Sequence, residues 1–97
     1  MVSPEAHAAI LRKVAARAVR AARARWGKAR SSPGEVRVRD AFRACVFAAR
    51  ALRNAAEVLP HEAPMMLEDA KRLDAAAAKL RAELVTILEG EIPPPSS

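Results

Sequence analysis

The sequence contains no tyrosine, two phenylalanines, one tryptophan and three glycines among its 97 residues. Its single cysteine, Cys45, excludes an intrachain disulfide, a thiolate zinc site and a Cys-x-x-Cys redox pair. No apolar stretch approaches the roughly 18 residues of a membrane span, so we expect none. Alanine supplies 24 of the apolar residues. Because the methyl group of alanine buries little area, a chain rich in alanine and poor in aromatic residues is predicted to have a thinly filled core.

Acidic residues are absent between Ala6 and Gly34, where eight basic residues occur. They are Arg12, Lys13, Arg17, Arg20, Arg23, Arg25, Lys28 and Arg30. Residues 1–53 hold 13 Lys/Arg against 3 Asp/Glu, whereas residues 54–97 hold 4 against 8. The first half of the chain is therefore suited to an anionic partner: nucleic acid, an anionic membrane surface or an acidic protein. The acid-free, Arg- and Ala-rich first third also has the composition of a mitochondrial presequence.

Apolar periodicity and breakers predict three helices, over about 4–25, 33–59 and 64–89. Ser3 and Pro4 give the first helix an N-cap and an N1 proline, and Gly27 is expected to follow its end. Residues 32–35 (Ser-Pro-Gly-Glu) have a capping-box pattern that predicts the second start. Short connections predict an all-α, antiparallel three-helix bundle as one domain over 1–90, followed by a short Pro-rich flexible tail at 91–97.

Each predicted helix has an apolar face. On helix 1 it comprises Ile10, Leu11, Val14, Ala18 and Ala21, opposite most of the basic residues, with Arg25 falling near the apolar side. On helix 2 it comprises Val38, Phe42, Cys45, Val46, Ala49, Leu52, Ala56 and Leu59, flanked by Arg39, Arg43 and Arg50. On helix 3 an alternating four-three spacing runs through Met66, Ala70, Leu73, Ala77, Leu80, Leu84 and Ile87.

Residues that could carry catalysis are scarce. His7 and His61 have no carboxylate or cysteine at a spacing that forms a metal or nucleophile site, so surface or capping roles are expected. Cys45 lies on the apolar face of helix 2, which favours a small buried hydrophobe over a reactive thiol. Trp26 is expected at the edge of the core, although it could also stack on a base or anchor at a membrane. We predict no metal, no directly bound cofactor and no enzymatic activity.

Residues 38–43 (Val-Arg-Asp-Ala-Phe-Arg) resemble the second-helix segment of the small mitochondrial proteins named for a Leu-Tyr-Arg motif, the LYR-motif or complex I LYR-like family. Those proteins are basic three-helix bundles with the motif on helix 1 and an aromatic residue near its end, where this chain has Trp26. Residues 67–73 (Leu-Glu-Asp-Ala-Lys-Arg-Leu) resemble the family's third helix. Tyrosine is absent, so the motif arginine is either Arg12 or Arg17, and the distance to Trp26 favours Arg17.

The resemblance implies an accessory subunit or assembly factor of a mitochondrial respiratory, iron-sulfur or ribosomal complex, in the matrix or on the matrix side of the inner membrane. It implies an adaptor that docks an acidic acyl-carrier protein and takes its acyl-phosphopantetheine chain into the bundle. The partner-binding side chains would be Arg12, Lys13, Arg17, Arg20, Arg39 and Arg43. The residues lining the acyl chain would be Ala18, Phe42, Val46 and Ala77.

Two other functions remain open at this point. One is a basic helical nucleic-acid-binding protein of a GC-rich bacterium or phage, located in the bacterial cytoplasm. Such a protein would also use many Ala and Arg residues. It is disfavoured because the helices offer few Asn, Gln, Ser or aromatic residues for base contacts. Peripheral membrane attachment through helix 1 is weaker, because only Ile10, Leu11 and Val14 are bulky on its apolar face, and the bundle needs that face.

Overall fold

A computed structural model describes residues 3–91, which form three α-helices and no strand. Helix α1 spans Pro4–Ser31, α2 spans Glu35–Val58 and α3 spans Ala63–Glu91. The antiparallel three-helix bundle predicted from the sequence is confirmed. The last part of the predicted tail, residues 92–97, lies outside the described residues, and Glu91 still belongs to α3.

Helix α1 begins as predicted but ends later. The Ser3 hydroxyl accepts a hydrogen bond from the Ala6 backbone N–H at 3.1 Å, and Pro4 follows it in the first turn. The predicted end at about residue 25 is wrong, because the helix continues through Gly27 to Ser31. A glycine inside a helix costs only about 1 kcal/mol relative to alanine. Burial of Ala29, which is 2% exposed, offsets part of that cost and extends the helix.

The predicted capping box at residues 32–35 is also wrong. Ser32 instead closes α1, with its backbone N–H donating to the Lys28 carbonyl oxygen at 3.0 Å. Gly34 is the N-cap of α2, without a side-chain cap, and its carbonyl oxygen accepts from the Val38 N–H at 2.9 Å. Helix α3 runs through Gly90, which was expected to end it. Its first turn is anchored by the Met66 N–H, which donates to the Glu62 carbonyl oxygen.

Helix α2 is the centre of the bundle. It packs along both α1 and α3, whereas within the described residues no Cα atom of α1 comes within 8 Å of one in α3. Its buried residues repeat at three-four spacing, as in a coiled coil. They include Val38, Ala41, Cys45, Ala48, Leu52 and Ala55, and the spacing continues to the buried C-cap residue Leu59. The predicted stripe on α3 is confirmed, with five residues buried and Leu84 and Ile87 partly buried against the core.

The predicted apolar face of α1 is wrong in its centre. The buried residues are all alanines: Ala15, Ala18, Ala22 and Ala29. Ile10 and Val14, which the periodicity placed inside, are 51% and 40% exposed. Alanine has no side chain beyond Cβ, so burying it lets the backbones of α1 and α2 approach closely. This packing leaves Val14 at one edge of the α1–α2 contact, whereas Val19 and Trp26 lie on the side of α1 toward α3.

Candidate docking groove between α1 and α2

A groove of about 460 Å³ runs along one edge of the α1–α2 contact. Its floor and walls are apolar, and three arginines surround them. Helix α1 contributes Val14, Arg17, Ala18, Ala21 and Arg25, and α2 contributes Arg43, Ala44 and Phe47. The groove exists because α1 packs with alanines and leaves Val14 and Phe47 at the edge, where Phe47 remains 59% exposed. We call this surface the α1–α2 groove.

The charged residues that line the α1–α2 groove are all basic, and Asp40 lies outside it, in a neighbouring cavity that Arg25 also lines. No Asp or Glu lines the groove. Three ion pairs occur within residues 3–91, and none involves Arg17, Arg25 or Arg43. Arg17 also follows Lys13 by four residues and precedes Arg20 by three, and like charges at this spacing destabilise a helix by about a few tenths of a kcal/mol per pair. A carboxylate or phosphate bound in the groove would relieve that repulsion through charge-assisted hydrogen bonds.

The three ion pairs hold other arginines elsewhere. Arg12 pairs with Glu62, and its hydrogen bonds lower the pKa of the Glu62 carboxyl below its ordinary value. Arg53 on α2 pairs with Asp74 on α3, which raises the pKa of the arginine. Arg39 binds Glu35 at 3.0 Å, one turn earlier on α2. These contacts connect or cap helices, and they leave the α1–α2 groove as a separate basic surface.

The six predicted partner-binding residues are therefore not one cluster. Arg17 and Arg43 both line the α1–α2 groove, but Arg39 does not. Arg39 is near Arg43 in sequence but is held by Glu35. Arg12 faces the α2–α3 connection. Lys13 and Arg20 are exposed on α1 and line none of the grooves described here.

Two residues that line the groove, Arg25 and Phe47, are not among the site residues predicted from the sequence. The periodicity of helix 1 places Arg25 near its apolar side. In the structure Arg25 lies eight residues after Arg17 and lines the same groove. Phe47 was outside the main stripe of helix 2. One signal in the sequence could have indicated the groove. Phe47 is a bulky apolar residue beside the core stripe of its helix, and the neighbouring helix carries a row of arginines.

The four residues predicted to line an acyl chain do not enclose a common space. Ala18 lines the α1–α2 groove and is 7% exposed. Phe42 is partly buried against the core, and Ala77 is buried within it. Val46 is 36% exposed, contrary to its predicted place on the apolar face. The reason is that α2 buries Ala44, Cys45, Ala48 and Ala49, and Val46 falls outside the face that these positions define.

The other candidate residues from the sequence are Cys45, Trp26 and the two histidines. Cys45 is fully buried, and desolvation raises the pKa of its thiol. Trp26 is partly buried at the edge of the core, with the Arg30 guanidinium carbon 5.8 Å from the centre of its ring. His7 and His61 are exposed. Among residues 3–91, no three His, Cys, Asp or Glu side chains are grouped so as to hold a metal ion.

No protein-family model, curated protein or solved structure matches this chain. Between residues 3 and 91, none of the helices has the length and apolar character needed to cross a bilayer.

Proposed function

We propose that this chain is a non-catalytic adaptor that binds an acidic helix of a partner protein in the α1–α2 groove. The observation that carries the proposal is the placement of Arg17, Arg25 and Arg43 around an apolar floor with no lining carboxylate. Charged side chains normally occur with both signs interspersed on a surface. A surface of one sign that also exposes apolar side chains is typical of an interaction site.

The apolar floor favours a protein helix over nucleic acid. A phosphate backbone would pair with the arginines but would leave Val14 and Phe47 unburied. An amphipathic helix satisfies both features, because its apolar residues cover the floor while its flanking carboxylates reach the guanidinium groups. Arginine is suited to this role because its planar fork binds a carboxylate with two parallel hydrogen bonds.

The resemblance to the LYR-motif family identifies the expected partner as an acyl-carrier protein within a mitochondrial complex. A carrier offers an acidic helix and a prosthetic-group phosphate, both of which match the arginines. Insertion of the acyl chain would follow docking of the carrier. Ala18 is buried at the α1–α2 contact, so a chain would enter there only if the two helices separated. The first contact is therefore between the acidic helix of the carrier and the α1–α2 groove.

Titration of the full chain with an acyl-carrier protein, followed by calorimetry, tests the proposal. Arg43→Glu is expected to weaken binding at least about tenfold, a loss of about 1.4 kcal/mol. The matched control is Lys79→Glu, which makes the same charge change at an exposed residue of α3 outside the groove. Equal effects of the two variants, or no binding by the unmodified chain, would contradict the proposal.

Two further experiments identify the partner. Native mass spectrometry of the assembly recovered from source cells is expected to show a pantetheinylated carrier bound to this chain. Competition with duplex and single-stranded nucleic acid at low salt addresses the alternative. Displacement of the carrier by nucleic acid, with the steep salt dependence of counterion release, would favour the nucleic-acid-binding function instead.

A further inference from the structure

A second concave surface lies between α1 and α3 and shares no lining residue with the α1–α2 groove. Its larger part has a volume of about 540 Å³ and its smaller part about 130 Å³. The larger part is lined by Ala29, Arg30, Pro33, Leu80, Ala82, Glu83, Thr86 and Ile87. The smaller part is lined by Val19, Arg23, Trp26, Asp69, Arg72 and Leu73. The two adjoin where Arg30 lies over the Trp26 ring, and we call them together the α1–α3 trough.

The trough follows from how the helices pack. Helix α1 packs its alanines on α2, which holds α1 close to α2, and the described Cα atoms of α1 and α3 stay more than 8 Å apart. Side chains alone therefore bridge the α1–α3 junction. Trp26 and Leu73 partly fill one stretch of it. The stretch between Ala29 and Ile87 is left open.

The two ends of the α1–α3 trough differ in charge. Around Trp26 lie Arg23, Arg30 and Arg72 against a single acid, Asp69. None of these four takes part in the three ion pairs found within residues 3–91. The other end is formed by Pro33, Leu80 and Ile87 and contains one acid, Glu83. Arg30 also lines this part, but its guanidinium lies over the Trp26 ring, where the two parts adjoin. One end is thus cationic and aromatic, and the other is mainly apolar.

We propose that the α1–α3 trough binds an amphiphilic organic anion, with its head group between Arg30 and Arg72 and its apolar body along Leu80 and Ile87. The volume lies within the roughly 300–1,000 Å³ of small-molecule sites. From Leu73 to Ile87 the trough follows α3 for about 21 Å, enough for an elongated molecule. Glu83 repels an anion at the apolar end, which fixes the direction of binding.

This site is independent of the proposed docking function. The α1–α2 groove uses Arg17, Arg25 and Arg43, whereas the trough uses arginines on other edges of α1 and on α3. Both surfaces can be occupied at once. A failure of carrier binding therefore leaves the trough proposal standing, and a failure of the trough leaves the carrier proposal standing.

Trp26 is the only tryptophan, so its fluorescence reports on the trough directly. The full chain is titrated with dodecanoate below its micellar concentration. The control probes are dodecyltrimethylammonium, which has the same alkyl chain with a cationic head, and butyrate, which has the same head with a short chain. Saturable change with dodecanoate is expected, together with at least tenfold weaker binding of each control probe.

Two pairs of variants localise the binding. Arg30→Gln is expected to weaken dodecanoate at least threefold, while Lys79→Gln, which also removes one positive charge, leaves it unchanged. Ile87→Glu is expected to weaken it at least tenfold, while Arg43→Glu in the α1–α2 groove has no effect. Circular dichroism verifies that each variant is folded.

A measurement on the unmodified chain does not depend on any variant folding. Amide chemical shifts upon dodecanoate addition are expected to change at residues 29–32, 69–73 and 80–87 and to stay constant at residues 14–17 and 43–47. Three results would each overturn the proposal: equal binding of the cationic probe, equal effects of Arg30→Gln and Lys79→Gln, or shift changes spread over the whole basic surface.

Discussion

Arg12, near the start of α1, donates hydrogen bonds from Nε and Nη2 to the Glu62 carboxylate at 2.6–3.2 Å, although the two residues lie 50 positions apart. Glu62 belongs to the connection between α2 and α3, and its backbone also closes that connection by donating to the Leu59 carbonyl oxygen. The ion pair therefore attaches the first part of α1 to the turn that joins α2 and α3. It does so at a place where α1 and α3 have no close backbone contact.

Glu62→Gln is expected to lower the melting temperature slightly at neutral pH and to have no effect in acid. The hydrogen bonds from Arg12 lower the pKa of Glu62 in the folded chain below its ordinary value of about 4.5. The stabilisation is thus present above pH 4.5 and is lost as the pH falls through the lower, folded-state pKa. Melting curves between about pH 3 and pH 7 measure this, with Glu57→Gln as control. A constant difference across the range would contradict it.

Ala22→Leu is expected to destabilise the chain by about 1–3 kcal/mol, because a larger side chain forces α1 away from α2. Ala22 is 0% exposed in that contact. Ala16→Leu makes the same substitution at an exposed position of α1 and should change the free energy of unfolding by less than about 0.5 kcal/mol. Urea denaturation compares the two. Equal effects would show that the alanine contact is not close-packed.

Hydrogen exchange is expected to be faster in α1 than in the facing segments of α2 and α3. The buried residues of α1 are all alanines, whereas α2 and α3 bury Leu52, Leu73 and Leu80 between them. Less buried apolar area gives a smaller free energy of local opening. Amide exchange followed by NMR gives this free energy helix by helix. Uniform protection across all three helices would contradict the expectation.

Phe47→Ala is expected to weaken carrier binding at least about tenfold while changing stability little. The Phe47 side chain is 59% exposed, so the folded chain gains little from it, but it forms part of the apolar floor that a docked helix would cover. Calorimetric titration and urea denaturation of the same variant separate the two effects. A loss of stability without a loss of affinity would assign Phe47 to the fold instead.

Cys45 is expected to resist thiol reagents in the folded chain and to react at the normal rate in denaturant. Burial both blocks access and raises the pKa of its thiol, which lowers the fraction of reactive thiolate at neutral pH. Labelling with a chromogenic disulfide across a urea series measures this. Fast labelling without urea would show that α2 opens readily around residue 45.

Some elements could be predicted from the sequence because one physical signal determined them. On α3, Met66, Leu73 and Leu80 repeat at coiled-coil spacing, whereas the bulky apolar residues on its other faces, Met65, Leu67 and Val85, form no such repeat and are exposed. The start of α1 could likewise be predicted from Ser3, since a serine followed by proline and an acid offers few alternatives to an N-cap.

The phase of α1 could not be predicted in the same way. Hydrophobicity favours burial of Ile10 and Val14, whereas close approach of two backbones favours burial of Ala15 and Ala22, and the second effect depends on the shape of α2. The groove residues Arg25 and Phe47 depend on that phase. Their common place beside the groove therefore follows only from the packing of the two helices.

The absence of neutralising carboxylates in the α1–α2 groove also affects the rate at which a partner arrives. Arg17, Arg25 and Arg43 produce an attractive potential at distances where no contact has yet formed. An acidic partner is steered by this potential, so its association rate constant should fall steeply with ionic strength while its dissociation rate constant changes little. If the proposed docking occurs, the groove would select its partner partly during the encounter, before the apolar floor is covered.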